Sequence, residues 1–182
     1  MIMKQEQSES ESQSLWADKV VKSSRNTTYF LKRLFIGKFL GARRLEQLIL
    51  EVDNDDYREL LIKVFRNEKK HLLLIEGLLA NRGIPLPRAG WRKTRYWRPV
   101  LKAVNSVEEH FAIAYYITVE INKRTLAVET SKYTPPDIRV VFNTISADER
   151  QAISVFKLVT STAALIAMKE VHQRGIDKLH GN

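Results

Sequence analysis

Turn-forming residues are gathered into three stretches of this chain: Asp53-Asn54-Asp55-Asp56, Gly83 to Pro87, and Tyr133-Thr134-Pro135-Pro136-Asp137. Between them, apolar residues recur at the three-to-four-residue spacing that lines one face of a helix. Phe30, Leu31, Leu34, Phe35, Leu45, Leu48 and Ile49 show this before the first turn. Only 7 Gly and 5 Pro interrupt 182 residues, and Leu, Ala, Glu, Lys and Arg are abundant. Few breakers and many helix formers imply an all-α chain.

The spacing predicts helices over about 28–52, 57–81 and 106–131, and a fourth from the Pro135-Pro136 turn to about Gly175, bent near Ser161-Thr162. Ser106-Val107-Glu108-Glu109 has the pattern of a capping box, and Gly83 stands where a helix would end. Short turns join the first helix to the second and the third to the fourth, with a long crossover between the pairs. That layout is an antiparallel four-helix bundle made of two hairpins, the arrangement of ferritin-like folds.

Residues 1–14 are polar and acidic, as in Lys4-Gln5-Glu6-Gln7-Ser8-Glu9, and read as a disordered tail before one bundle domain over 15–182. They lack the apolar segment of a signal peptide. Ile153 to Met168 is the most apolar run, but Lys157 interrupts it and it is too short to span a bilayer. A cytoplasmic protein, peripheral to a membrane at most, is the expectation. No Cys is present, which excludes disulfides, zinc ribbons and thiol catalysis. Phosphate loops, dinucleotide fingerprints and nucleophile elbows are also missing from the sequence. A net charge of +9 favours anionic partners.

Glu68 and His71 in Arg66-Asn67-Glu68-Lys69-Lys70-His71 put a carboxylate and an imidazole on one helix face. Two-metal carboxylate sites in helical bundles use this unit twice, with one more Glu from each remaining helix. Folding the first hairpin at residues 53–56 sets Glu68 level with Lys38. Glu46, the nearest carboxylate on that helix, falls about 12 Å away along the axis. Folding the second hairpin sets Glu149 level with Glu120, both on apolar stripes where a lone carboxylate is costly. Glu68, His71, Glu120 and Glu149 are therefore candidate metal ligands, with Lys38 a counter-charge among them. A plainer reading pairs Glu120 with Lys123 or Arg124, and Glu149 with Arg150.

With these residues in place, the chain resembles the ferritin-like superfamily over roughly 28–170, in particular rubrerythrins and demethoxyubiquinone hydroxylases. Asn67-Glu68-Lys69-Lys70-His71, Glu120 and Asp148-Glu149 carry the resemblance, together with the hairpin spacings. It implies a di-metal site with Glu68 and Glu149 bridging, His71 on one metal and Glu120 on the other. The family pattern also calls for a Glu where Lys38 stands, after Gly37, and a His where Ala152 stands. The resemblance thus implies an altered, partly lost site: one iron or manganese ion, or none, with Lys38 supplying the cation.

The crossover carries Arg88, Trp91, Arg92, Lys93, Arg95, Tyr96, Trp97 and Arg98. Aromatic rings among cations suit an anionic membrane interface. They equally suit stacked bases and phosphates of nucleic acid. A solvated loop capping the bundle end is the third reading. Lys32, Arg33, Lys38, Arg43 and Arg44 add a second cationic run, expected on a solvated face, and His110 is expected on the surface. Two functions follow as expectations. One is a non-catalytic or single-metal relative working at a lipid surface. The other is a metal-dependent oxidoreductase similar to the quinone hydroxylases, acting on a lipophilic substrate. A homodimer is compatible with either.

Overall fold

In the computed structural model, which describes residues 2–88, 100 and 102–180, the long elements are all helices. They are α1 (Ile2–Val21), α2 (Ser24–Ile49), α3 (Asp55–Ala80), α4 (Val107–Thr130), α5 (Pro136–Leu158) and α6 (Thr162–His180). No strand occurs among the described residues, as the scarcity of breakers and the helical period predict.

Local chemistry sets the ends. Asn54 Oδ1 accepts the Tyr57 amide at 2.9 Å and starts α3. Ser106 Oγ accepts the Glu109 amide at 3.2 Å and starts α4, while Glu109 reaches back to the Asn105 amide at 2.6 Å. The box therefore closes one residue earlier than the usual pattern. At the end of α3, Gly83 has φ +64, its amide bonds Ala80 O at 2.9 Å, and the Ile84 amide bonds Leu79 O at 2.9 Å. These two bonds make a Schellman cap, which needs the left-handed residue that glycine supplies without strain. Gly83→Ala costs about 1 kcal/mol, whereas Gly77→Ala, inside α3 with nothing within 4 Å of its added Cβ, gains about as much. Urea denaturation of the two variants checks the opposite signs.

Two expectations about boundaries change. The predicted fourth helix is two helices, broken at 159–161, where the Ser161 amide donates to Glu108 at 2.6 Å and Ser161 Oγ caps Ala164 at 3.2 Å. Of the region 1–14 read as a disordered tail, residues 2–14 lie within helix α1. Its later part is tied down. Trp16 meets Phe30 edge to face at 5.4 Å, Asp18 accepts from Ser131 at 2.6 Å, and Ala17 and Val20 are buried. The carbonyls at its end are taken by α2, Val20 O by Thr27 Oγ1 at 2.9 Å and Lys19 O by Asn26 Nδ2 at 3.0 Å.

α2 packs on α3, α4 on α5, α3 on α5, and α6 on α4, with α1 against α2 and α4. One apolar cluster gathers Phe35, Ile75 and Ile145, and a second gathers Leu45, Val64 and Ala152. On each of α2, α3 and α5 the chain passes from one cluster to the other through a polar residue: Lys38, Glu68 with His71, and Glu149. Along α2, α3 and α5 a charged layer thus lies between two apolar layers, and a third apolar cluster joins α4 to α6 through Ile113 and Met168. Among the described residues no helix is long and apolar enough to cross a membrane.

Candidate functional site

The charged layer brings together four of the five residues expected there. Lys38 is 2% exposed, His71 1% and Glu149 0%. The Lys38 ammonium donates to Glu68 Oε1 at 2.8 Å and touches Glu149 Oε1 as an ion pair. Ion-pair contact and hydrogen bonding differ at Glu149. Neither of its oxygens receives a well-aligned hydrogen bond among the described residues. One Lys of α2 therefore bridges a carboxylate of α3 and a carboxylate of α5.

Asp148, just before Glu149, lies 3.1 Å from His71 Nε2 and also pairs with Lys70 at 3.1 Å. An acceptor at Nε2 places a ring proton on that nitrogen. Nδ1 faces the cluster, 3.7 Å from Glu68 Oε1 and 4.0 Å from Glu149 Oε1, without a well-aligned hydrogen bond among the described residues. At Glu68, burial pushes the carboxyl up, but the Lys38 charge and the contact with His71 outweigh it and hold the group below its ordinary value.

Glu120 is not part of this layer. Its carboxylate pairs with Arg124 at 2.8 Å and its side chain is 36% exposed. The reason is register. Ser146 donates to Thr125 at 3.4 Å, which sets Asn122 rather than Glu120 level with Glu149. Two residues of helix turn a side chain by about 200°, so Glu120 faces outward. Ala152, where the family pattern has His, lies buried in the second apolar cluster.

Two polar residues that sequence reasoning put on the surface face inward. Arg44 NH2 lies 2.8 Å from His110 Nε2, and His110 Nδ1 lies 2.9 Å from Ser106 O. Burial, and secondarily the Arg44 charge, lower His110 below its ordinary value, although the Ser106 carbonyl opposes this. No periodicity marks a contact between positions so far apart. Asp148 carried a weak signal, since it adjoins Glu149. His172 stacks on Tyr116 with ring centroids 5.5 Å apart. Of the basic and aromatic residues expected in a crossover, Arg88 is exposed, and Trp91, Arg92, Lys93, Arg95, Tyr96, Trp97 and Arg98 lie outside the described residues.

Glu68, His71 and Glu149 each offer a donor atom, and these atoms lie within 4.8 Å of one another. A bound divalent ion would sit about 2.0–2.2 Å from each carboxylate oxygen it used. The Lys38 ammonium already holds Glu68 at 2.8 Å and touches Glu149. With Lys38 in that position, neither one metal nor two fit between the carboxylates. No family model, curated protein or solved structure matches this chain.

Proposed function

We propose that this chain is a ferritin-like four-helix bundle, two hairpins joined by a long crossover, in which an internal lysine has taken over the charge of the metals. It works as a non-catalytic binding protein at anionic lipid surfaces. The observation that carries the reading is the Lys38 ammonium lying against both Glu68 and Glu149. Those are the two residues that the resemblance assigns as metal bridges. The pairing of α2 with α3, α4 with α5 and α3 with α5 supports the bundle. The net charge of +9 and the Trp, Tyr and Arg content of the crossover support the lipid partner.

One feature favours a second reading, a metal-dependent oxidoreductase holding a single iron or manganese. His71 is braced at Nε2 by Asp148 and presents an unpartnered Nδ1 to the carboxylates, which is how metal-bound histidines are held. Lys38 would have to withdraw for that site to fill.

Elemental analysis separates the two. Protein purified without added metal, and again after anaerobic ferrous loading, is expected to hold far less than one ion per chain. About one ion per chain, lost in Glu68→Ala, overturns the lysine reading. The lipid partner is tested by co-sedimentation with phosphatidylserine and phosphatidylcholine vesicles. Binding to the anionic vesicles alone, weakened by salt, is the expected result. Stronger capture by a single-stranded oligonucleotide under the same conditions would make nucleic acid the partner instead.

A further inference from the structure

Beside the charged layer, between α2 and α4, lies a cavity of about 80 Å³. Gly37 and Gly41 form its α2 wall, and Ile113, Ile117 and Ile121 face them from α4. The space exists because α2 has no side chains there: a Cβ added at Gly37 or Gly41 meets nothing within 4 Å. Two glycines one turn apart inside a helix cost stability, so the opening is not what packing alone would favour.

Five polar residues border this apolar space: Lys38, Glu68, Arg44, His110 and Thr118, whose hydroxyl donates to Ala114 O at 2.7 Å. Lys38 and Glu68 neutralise one another at 2.8 Å. Arg44 has no such partner among the described residues. Its guanidinium donates to Gln47 Oε1 at 3.2 Å and to His110 Nε2 at 2.8 Å, both uncharged acceptors. Its Nε is buried without a hydrogen bond, and no carboxylate forms an ion pair with it among the described residues. His110 cannot supply the missing charge. With Nδ1 against Ser106 O and Nε2 accepting from Arg44, the ring is neutral and serves to orient the guanidinium. A cation in a partly apolar site with only neutral partners lacks compensation that an anionic ligand would provide.

We propose that this cavity binds a small amphipathic anion, a carboxylate on a short aliphatic chain, with its head on Arg44 and its chain between the glycines of α2 and the isoleucines of α4. This rests on the reading of the protein as a lipid-facing binding protein for the class of ligand, and on the cavity and the unpaired guanidinium for its place. Size limits the chain. A dry cavity of about 150 Å³ takes benzene; this one is smaller and partly open, so it seats about the first few carbons of a chain whose carboxylate and far end lie at its mouth. Hexanoate is the matching probe.

Calorimetric titration of hexanoate, acetate and 1-hexanol into the full chain tests both halves of the site. Saturable one-to-one binding of hexanoate is expected, with acetate and 1-hexanol at least about tenfold weaker. Arg44→Gln should weaken hexanoate by about tenfold and leave 1-hexanol unchanged. Gly41→Leu, whose side chain grows into the empty space, should abolish binding while the chain keeps its helicity. Gly41→Ala provides a milder version should the larger side chain disturb folding, and should weaken hexanoate without loss of fold. No saturable hexanoate binding, or binding indifferent to both Gly41 variants, overturns the site. Equal affinity for 1-hexanol with a silent Arg44→Gln overturns the anionic head. The metal content of the same samples keeps the two proposals apart. A stoichiometric ion with hexanoate binding intact removes the lysine reading and leaves the cavity standing. Metal-free protein that ignores hexanoate removes the cavity alone.

Discussion

Lys38→Met lowers the stability of the folded chain by about 3–5 kcal/mol, the usual cost of stripping one partner from a buried ion pair. In a domain of this size that is a fall in melting temperature on the order of 10 °C. The cost arises at the carboxylates rather than at the new methionine. Met fills a similar volume between the apolar clusters, but Glu149 at 0% exposure and Glu68 beside it would face each other with no cation between them. Converting the whole layer, Lys38→Met with Glu68→Gln and Glu149→Leu, should recover most of the loss, because a buried ion pair replaced by packed neutral groups is often neutral in stability. Thermal unfolding followed by circular dichroism checks both variants. A melting temperature unchanged in Lys38→Met would show that the ammonium is not the counter-charge.

The same substitution reverses the response to acid. In the native chain burial pushes the Glu68 carboxyl up, yet Lys38 and His71 together hold it below its ordinary value. A carboxyl depressed on folding contributes stability that is fully present above its unfolded value, about 4.3. That stability is lost as pH falls through the lower folded value. Without Lys38, burial dominates, the charged form is disfavoured, and protonation stabilises the fold instead. The two stability curves, far apart at neutral pH, should therefore converge as the pH drops below about 4.

Lys38→Glu should turn the layer into a metal site. It replaces the internal cation with a carboxylate beside Glu68, His71 and Glu149, whose donors already lie within 4.8 Å. Asp148 braces His71 at 3.1 Å in the orientation a ligand needs. Without metal the variant is expected to be less stable than Lys38→Met, since it adds a like charge. With manganese or anaerobic ferrous iron at about a hundred times the dissociation constant, binding restores about 2.7 kcal/mol. Melting with and without the ion, together with one ion per chain by elemental analysis, checks this. A variant that takes up no metal and melts alike in both conditions would mean that the layer has lost the geometry of a metal centre.

Much of the helical layout is legible in the sequence because turns and caps are local. Asn54 and Gly83 mark the ends of α3, and they do so through their own side chain and backbone. The meeting of Lys38 with Glu68 is legible for the same reason, since the five residues between α2 and α3, 50–54, leave little freedom in the level of the two helices. Glu120 is where that reasoning fails. The second turn is irregular, and a shift of two residues in register is enough to rotate a carboxylate out of the core and onto Arg124. Arg44 with His110 lies beyond any local rule. The two residues are 66 positions apart and meet only because α2 and α4 face one another across the cavity. The helix over the first residues was hidden by composition. A polar stretch carries no periodic stripe, and its anchors Trp16, Ala17 and Val20 appear only at its end.

The charged layer also decides how the helices line up. Leucines above and below it are nearly interchangeable, so an apolar seam alone would tolerate α2 sliding along α3 by one turn. Such a slide is about 5.4 Å. It would pull the Lys38 ammonium off a carboxylate it now holds at 2.8 Å and leave both charges buried alone. The residues that make this core less oily than its neighbours therefore select one alignment of these helices from several that would otherwise compete.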